Sequence, residues 1–169
     1  IEINIPFESL EIIKKNRKEA LKYKKLIIKE KVDGFIIYNN KRYNAKFRLK
    51  GDFKEHWEHK KQWSLRVQLK KNKAIEGMNE FALTIHGERD FPNNYLIYNV
   101  LKRYNILTPK YVDFRIIFNG EDWGLMLAEE QMSETFYAFN QLKEAPIFKM
   151  TNDKDTDLHM RYFNTPKIN

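Results

Sequence analysis

The sequence has no cysteine among its 169 residues, and this absence excludes several kinds of site. Disulfide bonds, zinc sites held by thiolates and a cysteine nucleophile all require that side chain. Long apolar runs are also missing. The longest tight apolar cluster, Trp123 to Ala128, is far shorter than the roughly 20 residues of a membrane-spanning helix. We therefore expect no membrane span in this sequence.

Several motifs that identify catalytic and binding sites are absent as well. Neither G-x-x-x-x-G-K-[ST] nor G-x-G-x-x-G occurs, which excludes the two common glycine-rich loops that cradle phosphates. The zinc-protease motif H-E-x-x-H is absent, and Ser64 does not lie within the G-x-S-x-G of a nucleophile elbow. The aromatic sheet motif of RNA-binding domains is missing too, so we do not expect nucleic-acid binding.

The sequence does contain enough apolar material for a folded core. Hydrophobic residues make up 42% and aromatic residues 14% of the chain, and this composition argues against wholesale disorder. The length suits one domain, or one lobe of a larger domain, rather than several domains.

The net charge of +8 is distributed unevenly along the chain. Residues 41–73 contain twelve Lys and Arg residues but only three acidic ones, whereas residues 74–169 are acidic on balance. A positive segment of this kind attracts anions such as nucleotide phosphates, nucleic acid or an acidic protein. A solvated lysine-rich face explains the same composition, so charge alone leaves both interpretations open.

Hydrophobic periodicity predicts helices interspersed with β-hairpins. Helical spacing occurs over residues 7–28 and 92–104, and again from Ser133 to about Leu142. Alternating apolar residues predict strands, which short turns rich in Asn and Gly connect as hairpins. We therefore predict an α+β fold with a mainly antiparallel sheet and flanking helices. The predicted strands are residues 35–38, 42–49, 63–69, 81–85, 111–118, 123–128 and 147–150.

The same patterns divide the chain into three parts. We expect residues 1–34 to form an N-terminal helical segment and residues 35–150 to form the α+β lobe. Residues 151–169 are polar, and we expect them to be a loosely held tail.

Two histidines, His56 and His59, lie three residues apart, close enough on a helix to share a metal ion. No third ligand is evident, and both residues lie in the basic segment. A surface loop is the simpler interpretation, so we assign no metal ligands from the sequence.

Three other features suit phosphate chemistry. They are a row of cations on one face of predicted strands, a pair of adjacent acids after an apolar strand, and a lone cation on the last strand. Lys and Arg side chains bind phosphate oxygens, and a carboxylate can orient a lysine or a metal ion. Each feature is also compatible with an ordinary solvated charge. The residues are Arg48, Lys50, Arg66 and Lys70 in the row, the pair Glu129 and Glu130, and the lone Lys149.

Short motifs follow one another in a fixed order over residues 42–150. The order resembles that of the spore coat protein H (CotH) kinase family, a group of atypical bacterial protein kinases. The motifs are Arg48-Leu49-Lys50-Gly51-Asp52 with His56, Lys61-Gln62-Trp63-Ser64-Leu65-Arg66-Val67, Ile75-Glu76-Gly77-Met78 with Phe81, Arg89, Leu107-Thr108-Pro109-Lys110-Tyr111, Phe118-Asn119-Gly120 with Trp123-Gly124-Leu125, Glu129-Glu130, and Ile147-Phe148-Lys149.

The resemblance implies that residues 35–150 form a kinase-like N-terminal lobe. Such a lobe would bind ATP with Mg²⁺ or Mn²⁺ and support phosphoryl transfer to Ser or Thr hydroxyls of a protein substrate. Catalysis of this kind depends mainly on positioning and on charge stabilisation around the transferred group. Under this hypothesis the nucleotide-binding candidates are Arg48, Lys50, Lys61, Arg66, Glu129, Glu130 and Lys149.

The resemblance also indicates which parts of a kinase lie elsewhere. A kinase needs a catalytic Asp and metal-holding carboxylates after its nucleotide-binding lobe. Beyond Lys149 the only acids are Asp153, Asp155 and Asp157, which are crowded into the polar tail and do not resemble a catalytic loop. We therefore expect an N-terminal portion that is inactive alone, with its catalytic Asp outside this sequence. By family analogy we expect a bacterial surface, spore coat or secreted protein.

A second hypothesis is that the chain has the same fold but no catalytic activity. A non-catalytic binding module would use the positive segment to hold an acidic protein or another polyanion. Such binding would depend strongly on salt and show no preference for nucleotides.

Overall fold

The structure of the chain, a computed structural model, describes residues 1–85, 93–143, 147–149 and 159–161. The chain divides into two compact units, Ile1–Gln131 and Met132–Asn169. The elements of the first unit are β1 (Glu2–Asn4), α1 (Phe7–Tyr23), β2 (Val32–Tyr38), β3 (Lys41–Leu49), β4 (Leu65–Leu69), β5 (Glu80–Ile85), α2 (Asn93–Arg103), β6 (Tyr111–Phe118) and β7 (Glu121–Glu130), with a 3-10 turn at Lys54–His56 before β4.

The seven strands of the first unit form a closed barrel in the order β1-β2-β3-β4-β5-β7-β6. Neighbouring strands are antiparallel, except that β1 and β6 run parallel and close the barrel. The predicted α+β class and the mainly antiparallel pairing are confirmed. Closure was not predicted, because β1 is only three residues long and too short to show an alternating pattern.

The core of the first unit lies inside the barrel. In β3, Ala45, Phe47 and Leu49 are buried, while the residues between them face outward. This alternation follows from the pleat of a strand, which sends successive side chains to opposite faces. The polar side chains of β3 that alternate with these residues, Lys46 and Arg48 among them, are therefore on the outer face of the barrel. The buried partners on the next two strands are Leu65, Val67, Leu69, Phe81 and Leu83.

Helix α1 is shorter than its apolar pattern predicts. It ends at Tyr23 rather than near residue 28, because Lys24 takes a left-handed backbone conformation with φ 52° and donates its N–H to the Ala20 carbonyl. The bounds of α2, Asn93–Arg103, match the predicted helix over residues 92–104. Strand β4 begins at Leu65, two residues after the predicted start.

The second unit contains α3 (Glu134–Phe139), β8 (Ile147–Lys149) and β9 (His159–Arg161). Strands β8 and β9 form a two-stranded antiparallel sheet. Strand β9 falls within the segment that the sequence predicted as a polar tail. The motif residue Arg89 lies outside the described residues, as do Asp153, Asp155 and Asp157. None of the described helices is long and apolar enough to cross a membrane.

Candidate functional site

Five strands place one residue each in a single row across the outer face of the barrel. We call this row the outer row. Residues directly opposite in a sheet have Cβ atoms about 5 Å apart, and like charges in such positions repel. Arg48 and Arg66 are directly opposite, so this part of the outer face favours an anion. The register runs from Arg48 of β3 to Arg66 of β4, Ala82 of β5, Glu129 of β7 and Tyr111 of β6.

An ion pair between Lys50 and Glu129 lies beside the outer row. Lys50 directly follows β3, and its backbone N–H donates to the Ser64 carbonyl at 2.9 Å. Its Nζ lies 3.3 Å from Glu129 Oε2, and the two side chains are only 11% and 20% exposed. An ion pair this well buried is screened little by salt, and its charges are fixed in place. A fixed lysine at this position can face a phosphate group.

The two arginines of the outer row are partly held by protein groups. Arg66 donates Nη1–H to Glu80 Oε1 at 3.2 Å, and Arg48 donates Nη1–H to the Leu49 carbonyl at 3.0 Å. In the described structure, Arg66 Nε is buried without a hydrogen-bond partner. A buried donor without a partner is costly, and a bound acceptor would relieve the cost. The planar guanidinium geometry suits phosphate oxygens.

The adjacent acids Glu129 and Glu130 have different surroundings. Glu129 Oε1 accepts a hydrogen bond from the Tyr111 hydroxyl at 3.4 Å, while its other oxygen faces Lys50. Glu130 is buried and accepts the backbone N–H of Lys110 at 3.1 Å. Burial raises the pKa of Glu130, although the Lys110 N–H opposes the shift. The Glu129 side chain therefore lies in the outer row, and the Glu130 side chain lies inside the barrel.

A tight turn after Lys50 connects the first two motifs. Gly51 has φ +96°, and a Cβ at this position would lie 2.0 Å from His56 Cδ2. His56 Nδ1 in turn lies 3.0 Å from Ser64 Oγ, and the His56 carbonyl accepts the Ser64 N–H at 2.7 Å. Only glycine fits against the imidazole with this backbone conformation. The turn therefore fixes Lys50 between β3 and the start of β4.

Helix α1 supports the same loop from the other side. Arg17 Nε donates to the Trp57 carbonyl at 2.7 Å, and its Nη2 donates to the carbonyls of Glu58 and His59. The Arg17 guanidinium also lies 4.8 Å from the centre of the Trp63 ring. Burial lowers the pKa of Arg17. One side chain of α1 thus anchors three successive carbonyls of the loop that follows Lys50.

A scan against protein-family models finds the CotH kinase protein family over residues 47–168. The matched segment covers more than two thirds of the chain and includes every residue of the outer row. The chain belongs to the CotH kinase family. The resemblance seen in the order of motifs is thereby confirmed. A search of curated proteins finds no match.

Within the first unit, the structure does not bring all the predicted residues to the outer row. Lys61 forms an ion pair with Glu121 at 2.9 Å, at the start of β7, whereas Glu129 lies near the end of that strand. Lys149 lies in β8 of the second unit. Lys70, the fourth cation of the predicted row, pairs with Asp33 at 2.7 Å on the exposed surface. The structure brings together Arg48, Lys50, Arg66 and Glu129.

The described residues do not form a metal site by themselves. Within residues 1–85, 93–143, 147–149 and 159–161, no three His, Cys, Asp or Glu side chains are grouped so that they could hold a metal ion. His56 is buried and contacts Ser64, whereas His59 is exposed. Mg²⁺ and Mn²⁺ prefer carboxylate oxygens, and Glu129, the acid of the outer row, already faces Lys50 and Tyr111. The described residues therefore do not fit a divalent ion held by protein ligands alone.

Sequence reasoning missed two partners of this site, Tyr111 and Glu80. The pairing of Tyr111 with Glu129 depends on a bulge in the β6–β7 hairpin, where the register shifts between Ile116 and Ile117. The Asn119-Gly120 turn predicts the hairpin, but without the bulge Tyr111 would be opposite Ala128. A signal for the bulge exists in Gly124, which has φ +76°.

Proposed function

We propose that this chain forms the nucleotide-binding part of a CotH-family protein kinase. It binds ATP at the outer row and, with a divalent ion and the catalytic carboxylates of the complete kinase, supports phosphoryl transfer to Ser or Thr hydroxyls of a protein. The observation that carries the proposal is the largely buried Lys50–Glu129 ion pair beside two arginines.

A lysine paired with a glutamate is a functional part of protein kinases, where the lysine contacts ATP phosphates and the glutamate holds the lysine in place. In this chain Lys50 directly follows β3, and its partner Glu129 comes from β7 rather than from a helix. The low exposure of both side chains gives the lysine a fixed direction. We assign Lys50 as the phosphate-contacting lysine and Glu129 as the residue that orients it.

The arginines supply the remaining positive charge. ATP carries a chain of phosphate oxygens, and the Arg66 guanidinium has an Nε–H that lacks a hydrogen-bond partner in the described structure. Phosphoryl transfer relies on charges that are already in place before the reaction starts. Arg66 is held by Glu80, so it meets this requirement better than a freely moving surface lysine does.

The experiment is a calorimetric titration of the chain with ATP, with and without Mg²⁺ or Mn²⁺. We expect saturable binding, weakened at least about ten-fold by Lys50→Met and by Arg66→Ala, because each variant removes a charge that faces phosphate. Lys60→Ala is the matched control, since it removes one positive charge from an exposed site in the same segment. Thermal unfolding of each variant verifies that it is folded.

Two results would contradict the proposal. Absence of ATP binding to the wild-type chain in the presence of either metal would exclude a nucleotide site built from these residues. Equal losses in Lys50→Met, Arg66→Ala and Lys60→Ala would show that only the total charge matters.

The binding-module hypothesis has one observation in its favour. A surface groove of about 470 Å³ is lined by Lys41, Arg42, Tyr43, Lys73 and Ala74. The Arg42 guanidinium in this groove is held over the Phe35 ring at 3.7 Å. An acidic peptide included in the same titration at two salt concentrations separates the hypotheses. Salt-sensitive peptide binding without ATP binding would favour the module.

A further inference from the structure

Three tyrosines connect helix α2 to the outer row. Tyr95 and Tyr98 lie on α2, and their rings are 6.1 Å and 5.9 Å from the ring of Tyr111. Tyr111 is the first residue of β6 and the last member of the outer row. Aromatic rings at these distances attract one another when they meet edge to face or tilted. We call Tyr95, Tyr98 and Tyr111 the tyrosine cluster.

The hydroxyl of Tyr111 and the amine of Lys50 bind different oxygens of one carboxylate. Tyr111 donates to Glu129 Oε1 at 3.4 Å, and Lys50 Nζ lies 3.3 Å from Glu129 Oε2. A carboxylate held at both oxygens has little freedom to rotate. The direction of the lysine therefore depends on the tyrosine through the glutamate between them.

Helix α2 holds the cluster from outside the barrel. Burial, with a contribution from the neighbouring Asp113 carboxylate, raises the pKa of Tyr95. Asp113 and Tyr111 both belong to β6 and lie two residues apart, on the same face of the strand. Leu96, Ile97 and Val100 of α2 are more than half exposed. Tyr95 and Tyr98 of α2 thus contact Tyr111 of β6 through their rings.

We propose that Tyr111 is a positioning residue for the Lys50–Glu129 ion pair, and that α2 controls this pair through the tyrosine cluster. This inference rests on the proposed nucleotide-binding function. A shift of α2 moves the Tyr111 ring, and the ring moves the Glu129 carboxylate that orients Lys50. The glutamate lies on a strand in this chain, so the helix acts on the ion pair through an intermediate tyrosine.

The test is a double-mutant cycle on ATP affinity with Tyr111→Phe and Glu129→Gln. Tyr111→Phe removes only the hydroxyl, and we expect it to weaken ATP binding about five-fold, the effect of one hydrogen bond. In the Glu129→Gln background the same change should have less than about a two-fold effect, because the residues act through one another. Equal effects in both backgrounds, or no effect in either, would overturn the inference.

Two controls make the cycle specific. Tyr38→Phe also removes a tyrosine hydroxyl that contacts a glutamate, Glu76, but Tyr38 lies away from the outer row, so this variant should leave ATP affinity unchanged.

The role of helix α2 is tested on the helix itself. Tyr98→Leu should weaken ATP binding in the wild-type background but not in the Glu129→Gln background. Ile97→Ser, on the exposed side of α2, should have no effect. Equal results for Tyr98→Leu and Ile97→Ser would overturn the role of the helix.

A second measurement separates this inference from the proposed function. A double-mutant cycle of Tyr111→Phe with Glu129→Met, which removes the oxygen that accepts the Tyr111 hydrogen bond, can be measured on the free energy of unfolding without nucleotide. If the wild-type chain does not bind ATP, the proposed function fails. Coupling between Tyr111→Phe and Glu129→Met in unfolding would still support the positioning contact, whereas additive effects would overturn it.

Discussion

Two lysine–glutamate ion pairs connect the basic segment to strand β7. They differ in their position along the strand, in the distance between the charged atoms and in their exposure to solvent. Lys50 pairs with Glu129 near the end of the strand, and Lys61 pairs with Glu121 at its start. The two acids are roughly 25 Å apart along β7, given about 3.3 Å per residue. The side chains of the first pair are 11% and 20% exposed, and those of the second are 43% and 56% exposed.

The difference shows that distance is a poor guide to the strength of an ion pair. The Lys61–Glu121 distance of 2.9 Å is shorter than the 3.3 Å of Lys50–Glu129. Exposed charges are screened by water and salt, so the shorter pair contributes little to stability. Hydrogen bonding from Lys61 lowers the pKa of Glu121. The longer, buried pair fixes the direction of its lysine, which a phosphate-binding site requires.

The largest expected effect on stability comes from substituting the glycine in the turn next to each ion pair. Gly51→Ala should lower the free energy of unfolding by about 3 kcal/mol or more, because the new Cβ overlaps the His56 ring and φ is positive. Gly120→Ala, in the turn beside Glu121, should cost only about 1 kcal/mol, since φ is +81° but nothing lies within 4 Å. Denaturant unfolding measures both. Equal losses of unfolding free energy in the two variants would show that the positive φ alone determines the cost, and that the overlap with His56 adds nothing to it.

Substitution of the two lysines should have the next largest effect. Lys50→Met should destabilise the fold by about 3 kcal/mol, because it leaves Glu129, whose side chain is only 20% exposed, without its cation. Lys61→Met should leave the unfolding midpoint nearly unchanged. Denaturant unfolding at low and high salt compares them. If high salt abolished the effect of Lys50→Met, the pair would behave as an exposed one and the comparison would fail.

The smallest expected effect concerns Glu130, the buried neighbour of Glu129. Burial raises the pKa of Glu130 above its ordinary value of 4.5, so the folded state binds this proton more tightly than the unfolded state does. Its contribution to stability is fully present below that ordinary value and is lost as pH rises through the folded pKa. Glu130→Gln cannot ionise, so its stability relative to the wild type should increase from about pH 4 to about pH 7.

Unfolding free energies of both proteins at several pH values test this expectation. Thr84→Ser, which changes a buried polar residue without a titrating group, is a suitable reference for the slope. A stability difference between Glu130→Gln and the wild type that stays constant with pH, or falls, would contradict the expectation.

Much of the barrel could be predicted from local pattern. Alternation in β3 predicts both faces of the strand, and the Asn39-Asn40-Lys41 and Asn119-Gly120 turns predict the two hairpins. Those signals are local, because the pleat and the turn conformations depend only on neighbouring residues. Arg48 and Arg66 followed from the same alternation.

The register of the β6–β7 hairpin and the positions of Glu129 and Glu130 depended on contacts between distant segments. The bulge in the β6–β7 hairpin shifts the register by one residue, and a one-residue shift exchanges the two faces of a strand. That shift places Glu129 outside beside Tyr111 and places Glu130 inside. Since either register satisfies the apolar run from Trp123 to Ala128, the sequence pattern could not choose between them.

The sequence by itself determined the α+β class, the positive segment, the order of motifs that identifies the CotH kinase family, and the candidates Arg48, Lys50 and Arg66. Only the tertiary structure decided that the barrel is closed by β1, that Lys50 pairs with Glu129, and that Lys61 lies elsewhere. The physical reason is that charge and periodicity are properties of neighbours in the chain. Burial, which separates a fixed lysine from a solvated one, depends on which strands meet.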